Sequence, residues 1–517
     1  MTHDVLIAGA GPNGLMLACE LALAGVRPVV LERLSAPSLE PKANGLVGQV
    51  IRLLDHRGLY ERLGGGPGTP RPAPAFVFGA FPLDLHRLEA NPLHTLPVPQ
   101  HRIEEVLGAW ARELGVTVRR GCEVRAFTQD DDGVTVDVHG PDGTERLRAR
   151  YLVGADGGRS TVRKLAGIGF PGVTSPDPVS RVAHVLLPDD VRANAAGELV
   201  LPGCPTPFRP FTHTRTEHGV FVVAPLGPDA TLVATMEWGG EPVDESEPAT
   251  LDELRASIRR VTGADLALAP ARTPGPHILR RQCGHNTRLA ERYRQDRVLL
   301  VGDAAHVHAA TGGPGLNLGL QDAANLGWKL AAELRGWAPP GLLDSYQRER
   351  HPIGRRVFMH SQAQMALMSS GPAVTALRAL FGELLSHEDN LARIAALMAG
   401  SDIRYDSDCP HPLAGRFVPD LPLVTAAGPT RLAEAARSAR PLLLDLDGRG
   451  AELTDLVAGW KDRVDVVSAS CPEPPAGALL VRPDGYVAWA TGPGEADPDG
   501  LTRALRTWFG EPVAVRF

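Results

Sequence analysis

A glycine fingerprint near the N-terminus constrains the fold of this chain more than any other feature. Gly9, Gly11 and Gly14 form a Gly-x-Gly-x-x-Gly pattern between an apolar stretch, DVLIAGAG, and a helix-like stretch that ends at Gly25. A second apolar stretch, RPVVLER, follows. Glycines allow a tight turn and the close approach of a pyrophosphate to a helix N-terminus. The pattern predicts a Rossmann-like α/β unit that binds a dinucleotide, and by itself it leaves FAD and NAD as alternatives.

Length and composition narrow the class of protein. A chain of 517 residues is too long for one hydrophobic core, which predicts two or three domains. The formal net charge of −7 gives no basic surface for nucleic acid. No apolar run reaches the roughly 18 residues of a membrane span, and the start, MTHDVLIAGAG, lacks the basic residues of a signal peptide. We therefore expect a cytoplasmic protein that binds neither nucleic acid nor membranes.

Strand-like and helix-like patterns predict a discontinuous nucleotide-binding domain with an insertion. Residues 1–75, 100–175 and 276–400 are assigned to the nucleotide-binding domain. Residues 76–99 and 176–275 are assigned to an inserted antiparallel sheet, because RVAHVLLP, GVFVVAPLG and ATLVATMEW have the pattern of sheet strands.

The last part of the chain predicts a third domain. Residues 401–424 carry the turn-forming composition of an extended linker. Residues 425–517 contain strand candidates such as RPLLLDLD and end in a helix-like stretch, DGLTRALRTWFG. The six cysteines of the chain are scattered, without a Cys-x-x-Cys motif, which predicts isolated thiols.

A second glycine turn lies in GADGGRSTVRKLAG, residues 154–167. Asp156 ends a predicted strand, Gly157 begins the turn, and Arg159 and Arg163 lie one helical turn apart. One interpretation is a surface turn with two solvated arginines. We favour a backbone-lined anion site whose arginines can bind phosphates.

A third glycine turn follows the strand VLLVGDA and leads into an apolar helix. Asp303 stands at the end of the strand, where open α/β sheets bind ligands. Asn317, Gln321 and Asn325 form a narrow polar stripe on the helix, which predicts a buried element. A positive helix N-terminus beside GGPGLNLG suits an isoalloxazine ring, because reduced flavin carries negative charge. Two glycine turns are thus predicted to hold the two ends of one long cofactor.

Several other side chains are predicted to be structural. His306 and His308 have no matching carboxylates nearby in the sequence, so we expect no metal site. A further group could line a substrate cavity, although each member is individually more typical of a core. These residues are Phe76, Phe78, Phe81, Phe208, Phe211, Phe221, Met236 and Trp238.

The three motifs, in this order, resemble the class A flavin monooxygenases, whose founding example is para-hydroxybenzoate hydroxylase. The long helices and the C-terminal LLVRPDGYVAW are most similar to the bacterial aromatic polyketide and antibiotic hydroxylases. The resemblance covers the whole chain. It implies an FAD-binding domain of the GR2 type, an inserted substrate domain and a C-terminal thioredoxin-like domain. Without Cys-x-x-Cys, that last domain is not expected to have a redox role.

The resemblance also implies which residues hold the cofactors. The adenosine and pyrophosphate side of FAD would be held by Gly9, Gly11, Pro12, Asn13, Gly14, Glu32, Arg33, Lys42, Gln100, Val124 and Asp156. The ribityl chain and the flavin ring would be held by Asp303, Pro314, Gly315, Leu316 and Asn317. A motif shared by FAD and NAD(P)H would consist of Asp156, Gly157, Arg159 and Arg163. Members of the family usually carry arginine where this chain has Lys42, so a bidentate contact is not expected there.

The implied reaction consumes NAD(P)H, with NADPH favoured. It inserts one oxygen atom of O2, through a flavin C4a-hydroperoxide, into a polycyclic aromatic substrate of polyketide type, in antibiotic biosynthesis or inactivation. We assign no catalytic residue, because the cofactor carries the difficult step. Baeyer–Villiger oxygenation, a flavin-dependent dehydrogenase or reductase, and a non-catalytic binding protein stay open as alternatives. The sequence is compatible with a monomer or a homodimer.

Overall fold

The structure is a computed structural model in which three groups of elements fold into two large sheets and a smaller C-terminal domain. It describes residues 2–38, 40, 42–239, 247–273, 277–309 and 313–513. Within these ranges, no helix is both long and apolar enough to cross a membrane.

The first third of the chain builds most of a parallel sheet. The strands of this part of the chain are β1 (Thr2–Ala8), β2 (Pro28–Glu32), β3 (Gly45–Val47), β4 (Ala75–Phe78), β5 (Phe81–Asp84), β6 (Thr95–Pro97), β7 (Thr117–Arg120), β8 (Glu123–Asp130), β9 (Gly133–Gly140) and β10 (Gly143–Gly154). Outside the large sheet, β3 pairs with β6 and β4 pairs with β5. The helices of the same part of the chain are α1 (Pro12–Leu23), α2 (Gln49–Asp55), α3 (Gln100–Glu113) and α4 (Thr161–Leu165). β1 pairs in parallel with both β2 and β10. A strand buried on both faces is a continuous apolar run, which is why VLIA was recognisable in the sequence.

The middle of the chain forms an antiparallel sheet. Its elements are β11 (Gly172–Leu186), β12 (Arg192–Ala193), β13 (Leu199–Val200), β14 (His213–Arg215), β15 (Val220–Pro225), β16 (Thr231–Glu237), α5 (Leu251–Thr262), β17 (Ala269–Pro270) and β18 (Leu279–Leu289). The strand order is β14–β15–β16–β11–β18. Helix α5 covers one face of this sheet through a buried cluster that includes Ala183, Phe221 and Leu254.

The structure differs from the sequence-based boundary at residue 276. That boundary assigned β18 to the nucleotide-binding domain, but β18 pairs with β11 and extends the antiparallel sheet. Its sequence, LRRQCGHNTRL, lacks an apolar alternation because only two of its residues are fully buried. A strand of this composition carries little periodic signal.

The chain then returns to the parallel sheet and adds helices. The elements are β19 (Arg294–Gln295), β20 (Val298–Leu300), β21 (His306–Val307), α6 (Pro314–Leu334), α7 (Ser345–Met368), α8 (Pro372–Leu385) and α9 (Glu388–Ala399). β20 pairs in parallel with β10, which completes the order β19–β20–β10–β1–β2–β7. β21 pairs with β18 and so connects the two large sheets.

The C-terminal domain has its own four-stranded sheet. The elements of this part are β22 (Pro422–Thr425), β23 (Gly428–Arg431), α10 (Leu432–Ala435), β24 (Leu442–Asp445), α11 (Gly450–Leu456), β25 (Asp465–Ser468), β26 (Ala478–Val481), β27 (Val487–Thr491) and α12 (Pro498–Phe509). β24 is parallel to β25 and antiparallel to β26, which pairs with β27. The core of this domain includes Trp328 and Ala332 of α6, so the domain packs directly on that helix.

The segment predicted as an extended linker is packed against the rest of the chain. Its residues 401–421 belong to no helix or strand. Tyr405 and Phe417 are nevertheless buried, and the ring of Tyr405 stacks on that of Tyr486 with 4.1 Å between centroids. The segment therefore helps to fix the C-terminal domain.

Candidate functional site

The first glycine turn is closed on its protein side and open on the other. Gly9 has a φ of 108°, and a Cβ there would overlap the carbonyl oxygen of Ala155. A Cβ on Gly14 would overlap the carbonyl oxygen of Gly9. Gly11 differs, because its φ is −70° and no described atom lies within 4 Å of the place of its missing Cβ. The open space at Gly11 leaves room for a ligand.

The N-terminus of α1 faces this open side. The helix begins at Pro12 without a side-chain cap, so its positive end and its first N–H groups can bind an anion. The Asn13 Oδ1 atom is buried, and no described group is its hydrogen-bond partner. An amide can turn either its oxygen or its N–H2 toward a neighbour, so Asn13 can bind a phosphate or a sugar hydroxyl. Both features fit the pyrophosphate and ribityl part of FAD.

The first and third glycine turns meet at Asn13. A Cβ on Gly302 would overlap the Asn13 amide, and a Cβ on Gly319 would lie 2.5 Å from Asn13 Nδ2. The amide is therefore held between the turn 302–304 and helix α6. The sequence predicted that these two turns serve one cofactor, and the structure brings them into contact.

Residues predicted for the adenosine side lie along the β2 edge. The Glu32 carboxylate accepts hydrogen bonds from the N–H groups of Ala10 (2.7 Å) and Leu34 (2.8 Å), and its remaining lone pairs stay available for a ribose. Arg33 is exposed and Val124 is buried in β8. The N–H of Cys122, at the start of the β8 segment, donates to the Glu32 carbonyl (2.8 Å).

Gln100 and Lys42 are brought together at the start of α3. The Gln100 N–H donates to the carbonyl of Ala43 (2.9 Å), next to Lys42. The Gln100 side chain donates to Glu104 at 2.8 Å. Lys42 is exposed and lies 3.6 Å from the Glu40 carboxylate. Lys42 thus places an exposed positive charge near this end of the site.

The second glycine turn is fixed by its own acid. One Asp156 oxygen accepts from the N–H groups of Thr161 (2.7 Å) and Val162 (3.0 Å), and the other accepts from the Ser160 hydroxyl. Ser160 itself accepts from the N–H of Arg163 (2.9 Å). Asp156 therefore holds the N-terminus of α4.

The two arginines of this turn have different environments. Arg163 is buried, donates to the carbonyl groups of Ala304 and Gly158 at 2.9 Å each, and lies 3.7 Å from the ring centroid of Phe170. These two backbone segments take part of its N–H donors, and the phosphate contact that the sequence suggested stays a prediction. In the structure, Arg163 links the second turn to the third. Arg159 is exposed and remains free for a ligand.

Asp303 lies in the third turn, beside the start of α6. A Cβ on Gly315 would lie 3.6 Å from Asp303 Oδ1. Asp303 is accessible to solvent. Neighbouring protein atoms nevertheless displace water from its carboxyl group and so raise its pKa, and His306 and Lys42 oppose that shift. Asp303 therefore lies beside the N-terminus of α6, on the side of the turn that is open to solvent.

Helix α6 begins with a second uncapped N-terminus. Gly313 adopts the left-handed conformation (φ 66°), Pro314 is the first helical residue, and none of the described side chains caps the helix. Pro314, Gly315 and Leu316 are half-buried. The Asn317 amide accepts from the N–H of Val47 (3.0 Å) and donates to the carbonyl of Gly313 (2.6 Å). The Asn317 amide therefore fixes the start of the helix, and the flavin contacts of residues 314–317 stay a prediction.

His306 belongs to a buried network that the sequence reasoning missed. The His306 Nε2 atom lies 2.6 Å from Asp322 Oδ2, and Arg350 Nε donates to Asp322 Oδ1 at 2.7 Å. Burial acts to raise the pKa of Asp322, but Arg350 and His306 lower it below its usual value. The ring of His308 stacks on that of His306, and burial lowers the pKa of His308 well below 6.5. Asp322, an acid in the interior of the apolar helix, was the signal for this network.

An apolar cluster lies beside the third turn, where the face of the antiparallel sheet opposite α5 meets α7, Ala80 and Ala309. Its buried members are Ala80, Val220, Ala309, Met365 and Met368, and its partly buried members are Val222, Met236 and Trp238. The Ala309 N–H donates to Thr287 of β18 at 3.3 Å, which fixes this cluster relative to the turn. We call it the apolar wall.

Of the aromatic and methionine candidates from the sequence, only Met236 and Trp238 belong to the apolar wall. Phe208 and Phe221 pack against each other on the α5 side. Phe76, Phe78 and Phe81 pack with the helices α7 to α9, and Phe211 is 65% exposed.

Comparison with known proteins identifies the family. Residues 2–361 match the model of the FAD binding domain, and residues 411–512 match that of the aromatic-ring hydroxylase C-terminal domain. The chain belongs to the class A flavin monooxygenases. The turns described above are therefore those of an FAD-binding domain, and the chain is an FAD-dependent monooxygenase.

Individual relatives span the full length. The chain is 44% identical to the 12-dehydrotetracycline 5-monooxygenase/anhydrotetracycline 6-monooxygenase of Streptomyces rimosus, over 99% of this chain and 100% of the relative. It is 42% identical to a rifampicin monooxygenase of Streptomyces venezuelae, over 99% of both chains. The solved structure of the anhydrotetracycline hydroxylase from Streptomyces rimosus superimposes with a TM-score of 0.85 at 43% identity, over 99% of this chain and 100% of that one.

Proposed function

We propose that this protein uses NAD(P)H and O2 to insert one oxygen atom into a polycyclic aromatic substrate of polyketide type. The observation that carries the proposal is the packing of Asn13, at the uncapped N-terminus of α1, against Gly302 of the third turn and Gly319 of α6, a helix for whose own N-terminus no described side chain supplies a cap. Such termini are suited to the pyrophosphate and to the negative charge of a reduced flavin. Bound FAD would accept hydride from NAD(P)H and activate O2.

The residues of this chain would bind and orient FAD and the substrate and would shield them from water. Gly11 and Asn13 would hold the pyrophosphate, Asp303 the ribityl region, and Pro314–Leu316 the edge of the ring. The apolar wall would receive the flat face of the aromatic substrate and exclude water from it, which limits loss of reduced oxygen as peroxide. The two relatives whose names mention tetracycline and rifampicin chemistry support a large polycyclic substrate.

Arg159 supports the use of NADPH. It is exposed on the second turn, whereas Arg163 is buried in backbone contacts. An exposed guanidinium can bind the 2′-phosphate that distinguishes NADPH from NADH. Arg159→Ala should therefore raise the KM for NADPH about tenfold, the equivalent of one lost contact of about 1.4 kcal/mol, and leave the KM for NADH unchanged. Equal effects on both nucleotides would contradict this role.

The central experiment uses the FAD-loaded full chain, NADPH and a set of tricyclic and tetracyclic polyketides under 18O2. The expected result is faster NADPH oxidation with one substrate and a product that carries one 18O atom. Full product yield without O2 would instead support the dehydrogenase alternative. The product structure, a hydroxylated ring or an ester, separates ring hydroxylation from Baeyer–Villiger oxygenation.

A matched pair of variants tests the apolar wall. Met236→Ala should raise the KM for the aromatic substrate and increase peroxide release, with unchanged affinity for FAD. Leu226→Ala serves as the control, since Leu226 is 52% exposed in the same domain and lies outside the wall. An unchanged KM in Met236→Ala would place the substrate elsewhere.

A further inference from the structure

A charged turn of the C-terminal domain is buried against helices outside that domain. Residues 482–486 connect β26 to β27 and belong to the LLVRPDGYVAW stretch. Arg482, Asp484 and Tyr486 are each only 3% exposed. Charged residues in connecting turns are normally solvated, so the burial of this turn calls for a physical reason. No step of the proposed function uses it directly.

The turn completes a buried cluster of charges between α6 and α7. Arg482 donates to the Glu349 carboxylate at 2.6 and 2.7 Å and to Asp484. From α6, Asn325 donates to Glu349 (2.7 Å) and Asp484 (2.8 Å), and Lys329 donates to Glu349 (2.7 Å). Two cations thus meet two carboxylates. Removal of one member would leave a buried charge uncompensated.

A second layer of charge lies one residue further along α7. Arg350 donates to Asp322 (2.7 Å) and to the Leu318 carbonyl (3.1 Å), both on α6, and to the Tyr405 hydroxyl (3.2 Å). Asp322 in turn pairs with His306 at 2.6 Å. This layer therefore ties the helix pair to the turn that precedes α6.

Two aromatic rings join the layers. The Tyr405 and Tyr486 rings stack at 4.1 Å, and the Arg482 guanidinium lies 5.1 Å from the centroid of the Tyr405 ring. At the end of this network that is far from Arg482, His306 follows the turn 302–304, which carries Asp303. Every contact from residue 482 to residue 306 is buried, so little water screens the coupling.

We propose that residues 482–486 are a positioning element of the flavin site. By holding α6 and α7 together through both layers, the turn sets the place of His306 and of the turn that carries Asp303. The proposal rests on the proposed function only in taking FAD as the ligand of that turn. It gives the C-terminal domain, which lacks a Cys-x-x-Cys motif, a role in the geometry of the cofactor.

Two shape-conserving variants of the full chain test this coupling. Tyr405→Phe removes the hydroxyl that accepts from Arg350 and keeps the ring, and Asp484→Asn removes one charge and keeps the shape. Each should weaken FAD binding about threefold to tenfold, the range of typical coupling energies. Amide hydrogen exchange of residues 302–309 in the FAD-free protein should become faster. Glu452→Gln is the control, because its pair with Arg449 is exposed in the same domain.

The readouts separate positioning from stability alone. FAD affinity is followed by flavin fluorescence, and the double variant should weaken binding less than the product of the single effects, because both changes act on one connected network. A lower melting temperature with unchanged FAD affinity and unchanged exchange at 302–309 would overturn the proposal. None of these measurements needs NAD(P)H, O2 or an aromatic compound. Failure of the wild type to oxygenate would therefore count against the proposed function alone.

Discussion

Substitution of single glycines in the first turn separates cofactor binding from folding. Gly11→Ala places a methyl group where no described atom lies within 4 Å, at an ordinary φ of −70°. The FAD-free fold should tolerate it, with a change within about 1 kcal/mol. In the FAD-bound protein the methyl group would occupy the pyrophosphate space. Loss of one charge-assisted hydrogen bond, about 1.5–3 kcal/mol, corresponds to roughly 10- to 100-fold weaker FAD binding.

Gly14→Ala should instead destabilise the FAD-free fold. Its Cβ would overlap the carbonyl oxygen of Gly9, so the strain, about 1–3 kcal/mol, falls on the fold itself. Gly108→Ala in the interior of α3, where a Cβ meets no described atom within 4 Å, should stabilise the fold by about 0.5–1 kcal/mol without any effect on FAD.

The assay combines the melting temperature of the FAD-free protein with an FAD titration. Wild-type affinity in Gly11→Ala would show that the fingerprint does not hold the pyrophosphate. A fall in melting temperature as large as that of Gly14→Ala would show that the space at Gly11 is not open in solution. Either result would refute the reasoning that assigns this turn to the cofactor.

Three further predictions concern ionisable side chains. Asp322→Asn should destabilise the fold by about 3–5 kcal/mol in thermal or urea unfolding, because it leaves the buried charge of Arg350 uncompensated. Burial lowers the pKa values of His94 and His360 to about 4 from 6.5. As the pH falls, the unfolded chain therefore takes up protons on these histidines before the folded chain does. The stability that the neutral rings contribute is complete above pH 6.5 and is lost as the pH falls toward 4. His94→Gln should reduce the pH dependence of the free energy of unfolding in this range. Lys42→Arg should strengthen FAD binding severalfold in titration, since a guanidinium can bind phosphate through two donors.

The glycine turns were predictable because their signals are local. Each consists of a strand, a few glycines and a helix, and neighbouring residues decide its conformation. The partners of the polar side chains of α6 were not predictable in this way. Asn325 and Asp322 find their partners 24, 159 and 28 residues away along the chain, and nothing in the spacing of α6 shows which cations and acids will face it. The same holds for Arg163, whose two carbonyl partners belong to different turns.

Helix α6 shows why the C-terminal domain is inseparable from the flavin site. Its N-terminus faces the cofactor turn, whereas Trp328 and Ala332 near its other end belong to the core of the C-terminal domain. Truncation after residue 400 would expose those residues and would leave Lys329 and Glu349 without Arg482. A truncated chain would then fail through loss of folding, whatever the role of the turn at 482–486. Only substitutions that keep the shared core, such as Tyr405→Phe, can reveal whether the domain tunes the cofactor site.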